Sequence, residues 1–212
     1  MTGTVLTIAQ QKGGSGKTTL AVNLAIHYRQ QGKTVAMLDT DPQGSLGRWF
    51  MARRDRLGDD AGLEFGTASA WGVSYECEKL RRNNDVVIVD TPPKIDADLR
   101  PALREADLVL VPVSMSEIDL WATEGALELA AREKRPTLIV LNRTSSRARL
   151  AVTVSDLVAK MDTPRAQATL GNRVAFAEAL GQGLAASELA RSGPAAKEVA
   201  ALAAELDGVL GV

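Results

Sequence analysis

The sequence predicts an α/β fold, a doubly wound, mostly parallel sheet with helices on both faces. Three observations predict it. Short β-rich apolar runs alternate with helix-length segments along the chain, and a glycine-rich turn joins the first run to the first helical pattern. Aromatic residues make up only 4% of the composition, as expected where Ala-, Val- and Leu-rich helices cover a buried sheet.

The first run, Val5–Ala9, ends at the glycine-rich turn, and a helix over Lys17–Gln31 follows. Thr34–Leu38 reads as the second strand and Gly44–Arg56 as the second helix. The Gly- and Ala-rich stretch from Asp59 to Glu76 carries mixed signals; a short strand at Leu63–Gly66 leads there into a helix ending before Asn83. Val86–Val89, Leu108–Val111 and Thr137–Leu141 are further β-rich runs, interleaved with helices at Asp98–Glu105 and Asp119–Arg132. A last helix spans Pro194–Leu210. Strands with few polar positions are strands covered on both faces, and the βαβ order makes the sheet parallel.

The 212 residues read as a single domain, residues 1–212. One cysteine, Cys77, excludes an internal disulfide framework and any zinc or iron–sulfur site built from cysteine pairs. No basic-then-apolar leader opens the chain and no apolar run approaches ~18 residues, so neither secretion nor membrane spanning is expected.

The glycine-rich turn is Gln11-Lys12-Gly13-Gly14-Ser15-Gly16-Lys17-Thr18-Thr19. Between a strand and a helix, this is a phosphate-binding loop: glycines let backbone N–H groups turn inward around phosphate oxygens, and the helix N-terminus adds positive potential. Gly13, Gly14, Ser15, Gly16, Lys17, Thr18 and Thr19 are therefore expected to bind nucleotide, with Lys17 at the β/γ-phosphates and the Thr18 hydroxyl on Mg²⁺. Asp39-Thr40-Asp41-Pro42-Gln43 and Asp90-Thr91-Pro92-Pro93 each follow a strand, which puts their acids at the carboxyl edge of the sheet where ligands of open α/β sheets bind.

Lys12 and the missing glycine at position 11 give this loop a second character. The wording K-G-G-x-G-K-T-T resembles the deviant Walker A loop of the ParA/MinD family of ATPases. The resemblance covers almost the whole chain and lies nearest the short ParA type, which lacks an N-terminal DNA-binding extension; here the loop begins within a dozen residues of Met1. It includes Val111 to Trp121, with Met115 where a proline is common, and Arg173 to Glu188, which in the family borders the base. The resemblance implies ATP and Mg²⁺ as ligands and ATP hydrolysis as the activity. It implies that Lys12 reaches across a nucleotide-sandwich homodimer, that Asp41 orients the attacking water, that Asp39 supports the metal and its waters, and that Asp90 holds the Mg²⁺ shell. Lys12, Lys17 and Asp41 are the expected catalytic residues; Thr18, Asp39 and Asp90 the metal-side ones. Asn142 suits hydrogen bonding to an adenine edge, or else forms a turn.

Charge distribution supplies a further expectation. Nine bases against three acids lie from Arg132 to Arg173, an excess of six positive charges in a chain of net charge −1. A basic belt including Arg143, Arg147, Arg149, Arg165 and Arg173 could bind DNA phosphates without reading sequence, or be a set of solvated faces. With the resemblance, the expected partners are nonspecific DNA and a ParB-like or other cargo adaptor, and the expected place is the cytoplasm, on the nucleoid. Two other readings stay open: a MinD-like ATPase on a membrane surface, against which the acidic last helix speaks, and a metabolic ligase of the dethiobiotin synthetase or cobyrinate amidase kind.

Overall fold

Strand residues of this chain are apolar on successive positions, so the sheet they form has two faces to cover. The structure is a computed structural model and describes residues 3–58, 61–93, 99–115, 117–145, 156–159 and 161–211. Its strands are β1 (Thr4–Ile8), β2 (Val35–Asp39), β3 (Glu64–Thr67), β4 (Val86–Asp90), β5 (Leu108–Ser114) and β6 (Thr137–Asn142). They form one six-stranded sheet in the order β3-β2-β4-β1-β5-β6, and every pairing is parallel. The helices are α1 (Lys17–Gln30), α2 (Ser45–Leu57), α3 (Gly72–Asn83), α4 (Leu99–Glu105), α5 (Glu117–Arg132), α6 (Val174–Gly181), α7 (Ala186–Leu189) and α8 (Pro194–Leu210).

The two-residue period of the strands sorts the core. Leu6, Ile8, Met37, Ile88, Leu110 and Val140 face α1, α2 and α8 in one apolar layer. Their neighbours face the other way: Val5, Leu38 and Val89 onto α3, and Val109, Val111 and Ile139 onto α4 and α5. Cys77 lies fully buried in the layer under α3, where burial pushes its thiol up to about 12. Helix α8 spends its apolar stripe, Val199, Leu202, Ala203 and Leu206, on the core beside α1.

Several boundaries differ from the sequence expectation, each for a physical reason. β2 and β4 run one residue further, to Asp39 and Asp90, which pair with each other in register. Asp is disfavoured in strands, but here the ladder carries both acids to the sheet edge. β5 continues through Pro112 to Ser114. Its last β1 partner is Leu110, so Pro112 lies past the end of β1, where a strand tolerates a missing N–H. The late segment expected only as a base-bordering stretch forms α6 and α7. Of the three tryptophans, Trp49 is core, whereas Trp71 and Trp121 are exposed.

Candidate nucleotide site

β1 delivers the chain to the carboxyl edge, and residues 9–16 loop over it before α1 begins. Gly16 is the N-cap of α1 at φ 93, a left-handed conformation, and no side chain caps the helix. A Cβ at Gly16 would lie 2.3 Å from Asn142 Nδ2, so both backbone angle and space demand glycine. The first turn of α1 carries no acidic residue, which leaves its amides and its dipole available to an anion. Ser15 Oγ is buried with no hydrogen-bond partner among the described residues.

The charged groups sit beneath this loop. Lys17 Nζ donates to Gln10 O at 3.1 Å; burial lowers its pKa, against the opposing pull of Asp90 and Asp41. Thr18 Oγ1 donates to Asp90 Oδ2 at 2.6 Å. Asp90 Oδ1 is buried without a partner among the described residues, and desolvation pushes this carboxyl up to about 7. An unsatisfied carboxylate oxygen beside a threonine hydroxyl is a donor set that fits Mg²⁺, which binds through few protein oxygens and keeps phosphates and waters for the rest. Among the described residues no cluster of three or more His, Cys, Asp and Glu side chains could hold a metal by itself.

Asp39 is buried, and its two oxygens accept the backbone N–H groups of Asp41 at 3.0 Å and Gly47 at 2.9 Å. Desolvation raises its pKa while these two bonds lower it. Its geometry thus fixes the turn that presents Asp41. Asp41 itself accepts from Gln43 N and faces the open cleft.

That cleft has a volume of about 650 Å³, ample for a nucleotide. The loop glycines, Lys17, Thr18 and Thr19 form its floor; Asp41, Arg48 and Trp49 form one wall, and Leu180 with Gly181 the other. Lys12 does not line it. Asn142 is buried: its Nδ2 donates to Ser15 O at 2.9 Å and its Oδ1 accepts Arg143 N–H at 2.8 Å, so it ties β6 to the loop. It also lines a smaller cavity of about 110 Å³ behind Gly16 and Thr19.

Of the five arginines expected on a DNA surface, the three described ones fall in different places. Arg143 lines the cleft and the smaller cavity, and Arg173 lines that cavity too while paired with Glu198 at 2.5 Å. Arg165 lies further back, bridged through its backbone to Ile139. Arg147 and Arg149 lie outside the described residues.

Several supporting residues had no signal in the sequence. Gln10 is buried, and its Nε2 donates to Pro112 O at 3.1 Å and Thr123 Oγ1 at 3.0 Å, joining the loop to β5 and α5. Asn23 donates to Thr19 O and accepts Ala186 N–H, both within 2.9 Å, which pins α1 to α7. Arg53 is fully buried and forms two 2.8 Å bonds with Glu188. It also donates to Ala61 O and Gly183 O and lies 5.5 Å from the Trp49 ring centroid. Separations of up to 163 residues make such pairs invisible to local pattern.

A glycine-rich cradle on a helix N-terminus, with a hydroxyl–carboxylate pair below it at the edge of a parallel sheet, defines a P-loop nucleotide-binding protein. The CbiA family, the CobQ/CobB/MinD/ParA nucleotide binding domain, matches residues 6–186, and the chain belongs to that family. It is 30% identical over 201 residues to maintenance of carboxysome distribution protein A of Halothiobacillus neapolitanus, covering 92% of each chain. The plasmid partition protein of Borrelia burgdorferi B31 bound to AMPPNP superposes with a TM-score of 0.79 at 17% identity, over 98% of this chain and 99% of that one. MinD of Pyrococcus horikoshii OT3 complexed with Mg-ADP gives 0.80 at 19% identity, over 98% and 97%. These two likenesses establish the P-loop NTPase fold.

Proposed function

We propose that this chain is an ATP-driven positioning switch: Mg²⁺-ATP closes a homodimer, the dimer holds nonspecific DNA, and an adaptor on the cargo stimulates hydrolysis and release. The observation that carries the reading is Lys12, a second loop lysine set outside its own cleft, in a loop whose cleft presents Lys17 and Asp41. A loop lysine that reaches a partner's phosphates would do so twice in a two-fold dimer. Gly13 to Thr19 cradle the phosphates, Lys17 neutralises them, and Asp41 orients the attacking water. Thr18 and Asp90 would hold Mg²⁺, with Asp39 bracing the turn beside them; the ion supplies charge neutralisation at the β/γ-phosphates. Positioning and neutralisation are most of what phosphoryl transfer asks of a protein. Asn142 serves the base side.

The near-full-length relative is named for the distribution of carboxysomes, which favours a protein assembly as cargo over a plasmid or chromosome. The expected place is the nucleoid. The membrane-surface reading is disfavoured because α8 has already buried its apolar stripe in the core.

DNA binding tests the proposal. Wild-type protein with a slowly hydrolysed ATP analogue is expected to bind unrelated DNA sequences equally, with affinity falling on a log–log salt plot by roughly 0.9 per neutralised phosphate. Absence of binding at low salt, with vesicle binding instead, would sink this reading in favour of the membrane one; product turnover on a small carboxylic acid would favour the ligase.

A further inference from the structure

We propose that Arg143 contacts the bound nucleotide, its guanidinium serving the α-phosphate and ribose side of a nucleoside triphosphate. The inference rests on the cleft being a nucleotide site. Position is the first argument: Arg143 lines both the 650 Å³ cleft and the 110 Å³ cavity behind Gly16, so it stands at the passage between the phosphate cradle and the cavity walled by Asn172 and Phe176. Backbone conformation is the second. Arg143 has φ 53, a left-handed conformation that glycine or asparagine adopts at less cost, and strain of this kind persists at ligand sites when the surroundings impose it. Here Asn142 imposes it, accepting the Arg143 N–H at 2.8 Å while donating to the loop carbonyl of Ser15 at 2.9 Å. The strained residue is thereby tied to the phosphate loop itself.

Charge is the third argument. Arg173, on the same small cavity, spends its guanidinium on both oxygens of Glu198, which also accepts Gly171 N–H. The Arg143 guanidinium has no hydrogen-bond or ion-pair partner among the described residues. Of the two arginines at this cavity, Arg143 is the one whose charge no described residue neutralises, and a phosphate is the anion the neighbouring cradle would bring to it.

The test uses Arg143→Gly, which adopts φ 53 without strain, Arg143→Asn, which tolerates it, and Arg143→Lys, which keeps the charge. Calorimetry with Mg²⁺ should find ATP and ADP both weakened roughly ten-fold or more in the Gly and Asn variants, with partial recovery in the Lys variant. Unchanged melting temperature in the Gly variant separates this from a folding defect. A loss confined to ATP would overturn the α-phosphate assignment, and unchanged nucleotide affinity with lost DNA binding would overturn the proposal in favour of a DNA-contacting Arg143. If wild-type protein binds neither nucleotide, the reading of the cleft fails first, and the role of Arg143 with it.

Discussion

Replacing Glu188 with glutamine should destabilise the protein and loosen one wall of the cleft. Arg53 is fully buried, and its partner Glu188 is 17% exposed in its side chain. At 2.8 Å, with an effective dielectric of about 20, their gross attraction is about 6 kcal/mol, offset by desolvation of several kcal/mol. The net value of the pair is therefore small, but losing one member strands the other's charge, which costs about 3–5 kcal/mol. Glutamine preserves volume and one acceptor oxygen, and Arg53 keeps the carbonyls of Ala61 and Gly183, so we expect the lower end, about 3 kcal/mol. For a chain of 212 residues that lowers the thermal midpoint by about 6–12 °C. Because Arg53 and Trp49 hold the carbonyls of Gly183 and Leu184 just beyond the cleft residues Leu180 and Gly181, ATP affinity should fall as well. Circular dichroism melts and reversible urea titrations read the stability. A midpoint within 2 °C of wild type would refute the reasoning; an Arg53→Met, Glu188→Leu double variant, which strands no charge, should regain most of the loss. Burial pushes the Glu188 carboxyl up, but the Arg53 guanidinium and the Ala185 N–H together outweigh it and leave its native pKa below the ordinary 4.5. Its contribution is thus present at neutral pH and lost as pH falls below 4.5 through the native value.

Lys17→Ala should abolish measurable Mg²⁺-ATP binding by calorimetry, since it removes the cleft's own buried ammonium; retained tight binding would show the loop is misread. Asp41→Ala should keep ATP affinity within a few-fold and lose turnover in a phosphate-release assay, because it removes the water-orienting carboxylate and leaves the cradle intact. Near-normal adaptor-stimulated turnover would take that role from Asp41.

Much of this fold is legible because its signals are local. The strand–loop–helix from Thr4 to Gln30 declares itself through an apolar run, three glycines and a helical period within 27 residues. The same locality exposes Lys12, Lys17, Thr18, Asp41 and Asp90. What was not legible depends on chain meeting chain: Gln10 finds Thr123, Arg53 finds Glu188, and the Asn142 amide finds the Ser15 carbonyl. Arg143 illustrates the limit well. Counted along the sequence it belongs to a basic stretch; its left-handed backbone and its place beside Gly16 arise only when β6 is laid next to β5 at the sheet edge.

Mass by light scattering, with and without a slowly hydrolysed ATP analogue and Mg²⁺, tests the central claim most directly. Wild-type protein should double its mass with the analogue and return to monomer with ADP, whereas Lys12→Ala should bind the analogue and stay monomeric, because one missing lysine–phosphate contact is missing at both sites of the dimer. A wild type that remains monomeric at saturating analogue would contradict the account.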